Sequence, residues 1–64
     1  MARFLIHIDC DNAAFDDGLH QEIWSILTAM RDSESFRSLE SSHQHGSSLR
    51  DSNGNTVGWW SYKP

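Results

Sequence analysis

Over residues 3–9 apolar and polar positions alternate: Phe4, Ile6 and Ile8 fall on one side, Arg3, Leu5, His7 and Asp9 on the other. A period of two in β-favouring residues predicts a strand with one buried face. The run Asp9-Cys10-Asp11-Asn12 then ends it, because Asx side chains bond their own backbone and favour turns. Across residues 17–31 the period lengthens. Leu19, Ile23, Ile26, Leu27 and Met30 recur at helical spacing and form one apolar stripe. Asp16 or Asp17 is placed to cap that helix. Trp24 flanks the stripe with His20 and Thr28, at the rim of the expected core.

Residues 32–48 are serine-rich and polar, with Phe36 and Leu39 as their large apolar residues. These two suffice for a further helical turn or two, and a flexible loop is expected after Glu40. Residues 48–62 read as a hairpin. Asn53-Gly54 suits a tight turn whose two central residues take positive φ. The outgoing strand is rich in β-formers: Thr56, Val57, Trp59, Trp60 and Tyr62. Gly58 within it predicts a bulge or a close approach under the helix. Alternation sets Gly58, Trp60 and Tyr62 on one face and Val57, Trp59 and Ser61 on the other. One helix covers one face, so either Trp59 or Trp60 stays exposed. The expected fold is α+β: one βαββ domain over residues 1–64, a three-stranded sheet with a C-terminal hairpin and one helix on one face.

Length and composition restrict what such a fold does. A chain of 64 residues buries only about 60% of the surface its unfolded form exposes. Separate cofactor and substrate domains are therefore excluded. Hydrophobic residues at 38% and charged residues at 22% fit a small globule rather than a disordered chain. No apolar run approaches the ~20 residues of a membrane span. The first residues lack the apolar core and cleavage site of a signal peptide, so a cytoplasmic location is expected. A lone cysteine, Cys10, forms no internal disulfide, whereas small secreted domains rely on several.

Charge adds an asymmetry. The net charge is −4, and all of the excess lies in the first 22 residues, where Arg3 stands against Asp9, Asp11, Asp16, Asp17 and Glu22. An acidic patch repels a nucleic-acid backbone and attracts basic surfaces. The expected partner is therefore a protein with a basic nucleic-acid-binding surface, with no direct binding of nucleic acid or membrane. A plainer reading has Asp16, Asp17 and Glu22 opening a helix, where acids suit the dipole. It leaves Asp9 and Asp11 unexplained.

Candidate chemistry is sparse. His43 and His45, with Cys10 or His7, offer zinc ligands, but they lack the recognisable spacing of a structural site. Asp51-Ser52-Asn53-Gly54-Asn55 is like the first half of a calcium loop, yet Gly58 to Tyr62 supplies no closing acid, and a hairpin turn accounts for the same residues. Cys10 with a histidine would make a nucleophile pair, but a lone cysteine ending a strand is more often a small buried hydrophobe. No glycine-rich phosphate loop, oxyanion motif or paired carboxylates in a cleft are present. The expectation is no enzyme, no cofactor and no metal. Tryptophan is enriched at binding hot spots. Asp9, Asp11, Asp16, Asp17, Glu22, Trp24 and Trp59 are accordingly the candidate partner-binding residues.

Two segments, Ile8-Asp9-Cys10-Asp11-Asn12-Ala13-Ala14-Phe15 and Leu49-Arg50-Asp51-Ser52-Asn53-Gly54-Asn55-Thr56-Val57-Gly58, resemble a group of short orphan proteins from bacterial genomes and mobile elements. That group carries an Asp-x-Asp-Asn-Ala-Ala-Phe start and an Arg-Asp-x-Asn-Gly-Asn-x-Val-Gly end. The segments cover under a third of the chain, and the helix between them matches in position; the Ser-rich stretch departs from the group's more regular helix end. The resemblance implies a βαββ fold and no known chemistry. In size and acidity the chain also looks like phage-encoded anti-CRISPR proteins, including small inhibitors of type I systems. Those share no common motif, so no residue role carries across. What the likeness implies is a monomer or weak homodimer in a bacterial host cytoplasm that blocks target DNA by setting carboxylates where phosphates bind. The alternative is a small protein–protein interaction module, or a homodimeric accessory protein joined through the exposed tryptophan face.

Overall fold

The computed structural model describes residues 1–64. Strand β1 (Arg3–Ile8) is followed by a 3-10 turn (Ala13–Phe15), helix α1 (Leu19–Arg31), a short helix α2 (Glu34–Arg37) and the strands β2 (His45–Arg50) and β3 (Thr56–Lys63). The strands form one antiparallel sheet in the order β1-β3-β2. This is the α+β arrangement that the change of period predicts. No helix is long and apolar enough to cross a membrane.

The core lies between the helices and one face of the sheet. Trp60, on the middle strand, and Ile26, on α1, are its most buried large side chains, joined by Phe15, Met30, Leu49 and Val57. Phe36 meets the Trp60 ring edge-on at 5.7 Å, and Phe4 lies 5.7 Å from the same ring. Aromatic contacts of this kind contribute roughly 0.5–1.5 kcal/mol each beyond area burial. The exposed tryptophan is Trp59, at 44% against 1% for Trp60.

Several element bounds differ from the sequence expectation. Helix α1 starts at Leu19, not residue 17, and neither Asp16 nor Asp17 caps it: Gly18 precedes the helix with no side-chain cap. Asp16 instead ends the 3-10 turn as its C-cap, its amide donating to the Ala13 carbonyl. The inward line of α1 is Glu22, Ile26 and Met30, while Leu19 stays exposed. The further helical turn expected around Phe36 is present as α2, and the flexible loop expected from Glu40 to residue 48 is cut short. The Ser33 hydroxyl accepts from the Phe36 amide and donates to the Met30 carbonyl, which starts α2. Phe36 and Leu39 pack against the core. The Tyr62 hydroxyl donates to the Ser41 carbonyl at 2.9 Å, and β2 is already under way at His45. Serine composition reads as loop, but here serines cap a helix and fill a strand.

The hairpin is wider than an Asn-Gly two-residue turn. Asp51 donates its amide to the Asn55 carbonyl and accepts from the Gly54 amide, and only Gly54 has a positive φ, 83°. Below the loop, Leu49 pairs with Gly58 and Arg50 with Thr56, so Val57 is an inserted residue and is buried. This bulge overturns the expected placing of Val57 beside Trp59. Gly58 does meet a close neighbour, but it is β1 rather than the helix: a Cβ there would overlap the His7 carbonyl oxygen.

Candidate functional site

The two segments that carry the resemblance meet in space. Asn12 caps the 3-10 turn, its side-chain oxygen accepting from the Ala14 amide at 3.0 Å. Its side-chain nitrogen donates to Asp51 across the fold at 2.6 Å. The Asp51 carboxylate also accepts from the amides of Asn53 and Asn55, each at 2.9 Å. Beside it, the Glu22 carboxylate accepts from the Ser52 amide at 2.7 Å and the Ser52 hydroxyl at 3.0 Å. The β1–α1 connection, the first turn of α1 and the hairpin loop are thereby tied at one point. Asp51 is 7% exposed and Glu22 8% exposed, and no buried side-chain polar atom lacks a partner.

This hub gives the motif residues Asn12, Asp51 and Asn55 a structural role. Both Asp51 oxygens accept N–H donors from the chain itself, as a hairpin-turn carboxylate does. Burial pushes the Asp51 carboxyl up, but the bonds from the Asn55 amide, the Asn12 side chain and the Asn53 amide outweigh it and hold the carboxyl below its ordinary value. A group with a depressed folded value adds stability above its unfolded value and loses it as pH falls through the folded value. The melting temperature is therefore expected to fall as the solution is acidified through the carboxylate range, and less steeply in an Asp51→Asn variant. Arg31 also holds Asp32 below the ordinary value, through a hydrogen bond. That pair is exposed, so high salt removes its share and leaves that of Asp51.

The acidic residues are placed as follows. Asp9, Asp11, Asp16 and Asp17 lie exposed within residues 9–17, and none is paired with an arginine or lysine. Asp9 bonds the imidazole of His7 at 2.9 Å. His7 in turn stacks on Trp59, with centroids 5.6 Å apart and planes 13° apart. Asp9, His7 and Trp59 thus form one line on the sheet face that no helix covers. Glu22 is a correction to the expected acidic surface, since its carboxylate is turned inward onto Ser52. Trp24 is 56% exposed and borders a hollow of about 220 Å³ with His20, Ile23 and Leu27. It stands apart from Trp59, which is on β3. Sequence reasoning missed His7 as a link between Asp9 and Trp59, although the alternation of β1 already sets His7 and Asp9 on one side.

The remaining chemistry is dispersed. His43 bonds Glu40 at 3.1 Å, and His45 accepts from the Glu40 amide at 3.2 Å. No three His, Cys, Asp or Glu side chains gather as a metal site. Cys10 is half-buried against the core, its thiol 3.7 Å from the Ile8 carbonyl. The larger cleft, about 310 Å³, runs between α1 and β2 past Ile26, Met30 and Leu49 and is flanked by serines. Compared with known proteins, the chain matches no protein-family model, no curated protein and no solved structure.

Proposed function

We propose that the chain is a small non-enzymatic binding protein of the inhibitor kind, which sets the acidic β1–α1 connection against a basic, nucleic-acid-holding surface of a protein partner. The specific candidate is a subunit of a type I CRISPR effector, met in the cytoplasm of a bacterial host. The supporting observation is that Asp9, Asp11, Asp16 and Asp17 are exposed along one connection and are not neutralised by the chain's own arginines or lysine. Carboxylates so placed compete for sites that otherwise hold phosphates. They act mainly on association rate and specificity. The hub beneath them supplies rigidity, because Asn12 fixes the connection to the hairpin loop.

The test is a DNA-shift assay with a purified type I effector complex. Excess protein is expected to prevent target DNA from binding. A variant with Asp11→Asn, Asp16→Asn and Asp17→Asn is expected to keep its melting temperature and to bind about tenfold more weakly, the sum of three exposed pairs. Added salt should reproduce that loss. DNA binding that persists in excess protein overturns the inhibitor reading.

A second reading is favoured by one observation: Trp59 and Leu5 stand exposed on the uncovered face of the sheet. An interaction module would use that face. Trp59→Ala would then abolish partner binding while the triple Asn variant retained it.

A further inference from the structure

Strand β1 pairs only with β3, so its outer edge is open. The Asp9 amide donates to the Val57 carbonyl, and the His7 carbonyl faces Gly58 on β3. Bonding alternates along an antiparallel strand. Arg3, Leu5 and His7 therefore turn their backbone groups to β3, and Phe4, Ile6 and Ile8 turn theirs outward. The Ile8 carbonyl fits this direction, since it meets only the Cys10 thiol at 3.7 Å.

An edge of this kind is normally protected by proline, lysine, an inward charge or a bulge. Residues 4–8 of β1 contain none of these. The edge is also apolar: Phe4 and Ile6 are each 41% exposed although they share the core face with Trp60. Helix α1 does not cover them, because it packs towards β2 and the 3-10 turn. The opposite edge, β2, is different. Its residues are His45-Gly46-Ser47-Ser48-Leu49-Arg50, and the large apolar one, Leu49, is buried.

We propose that the chain forms a symmetric dimer in which β1 pairs antiparallel with β1 of a second copy, about a two-fold axis at Ile6. The occupant follows from the register. With Ile6 opposite Ile6 of the second copy, Phe4 faces Ile8 and Leu5 faces His7. Arg3 then faces Asp9 of the second copy at both ends. The outward groups of Phe4, Ile6 and Ile8 become the bonded pairs, as the alternation requires. Opposite charges directly across antiparallel strands are favourable, and a two-fold axis makes the contact self-complementary. The result is one continuous sheet, and it leaves Asp11, Asp16 and Asp17 free. The dimer does not depend on the proposed inhibitor function.

Light scattering on the wild-type chain is expected to give twice the 7.3 kDa chain mass at high concentration and the single mass on dilution. Amide exchange at Phe4, Ile6 and Ile8 should slow as the dimer fills. Ile6→Pro removes an outward amide that bonds nothing within the chain, a place where an edge strand tolerates proline. It is expected to be monomeric with an unchanged circular dichroism spectrum. Should it fail to fold, the charge variants decide. Arg3→Asp sets like charges across both ends and is expected to weaken the dimer about tenfold; adding Asp9→Arg restores it. A wild-type chain that stays monomeric overturns the proposal. So does a dimer that the charge variants leave unaltered, since the second copy would then sit elsewhere, on the Trp59 face.

Discussion

Trp60→Ala is expected to leave the chain unfolded at room temperature. Trp60 is 1% exposed and is touched by aromatic rings from both β1 and α2. Truncating a buried tryptophan costs roughly 3–5 kcal/mol through lost transfer energy and the cavity left behind. A chain of this size holds only about 3–5 kcal/mol from a single core, so the loss consumes all of it. Far-ultraviolet circular dichroism would read as coil with no thermal transition. Trp59→Ala is the control. That ring is half in water and stacks on a half-exposed histidine, and its loss should cost about 1 kcal/mol or less. If Trp60→Ala melts like the wild type, Trp60 is not the centre of the core.

Gly58→Ala is expected to detach β1. The added Cβ would overlap the His7 carbonyl oxygen and lie 2.9 Å from the His7 carbonyl carbon and 3.0 Å from the Ile8 Cα. All three are backbone atoms, so no side chain can swing aside. Overpacking usually costs about 1–3 kcal/mol, and an obstruction made of backbone falls at the top of that range or beyond. Unlike Trp60→Ala, the damage should be local at first. Amides of Arg3, Leu5 and His7 would lose their protection, while the β2–β3 hairpin keeps its own. Because β1 would carry the dimer, the same substitution should also give a monomer. Uniform loss of protection across all three strands would show instead that Gly58 is needed by the hairpin itself.

What the sequence made legible was local. The alternation of residues 3–9 and the stripe of residues 17–31 repeat within a few residues, and both elements are found, with α1 shifted by its missing side-chain cap. The choice between Trp59 and Trp60 was not local. It rests on which face the helix meets, and the Val57 bulge changes which residues share that face. Glu22 was legible in principle, since it lies on the same four-residue line as Ile26 and Met30. Its acidic character hid an inward position that Ser52 satisfies from 30 residues away. The Asn12–Asp51 bond spans 39 residues, and no periodicity announces a contact at that range. The candidate site was therefore legible as a charge excess, and the split into exposed Asp9, Asp11, Asp16 and Asp17 and inward Glu22 came only from tertiary packing.

The order β1-β3-β2 puts the strand that comes last of the three between the other two. While the chain is being made, β1 and β2 have no hydrogen-bonding neighbour until Thr56 to Lys63 have been added. Until β3 is available the chain therefore has a helix to form but no sheet, and the apolar Phe4-Leu5-Ile6 run has no strand to pair with. Closing β1 onto β3 then joins residues as far apart as Arg3 and Lys63, a step whose speed is set by chain entropy rather than by any local preference.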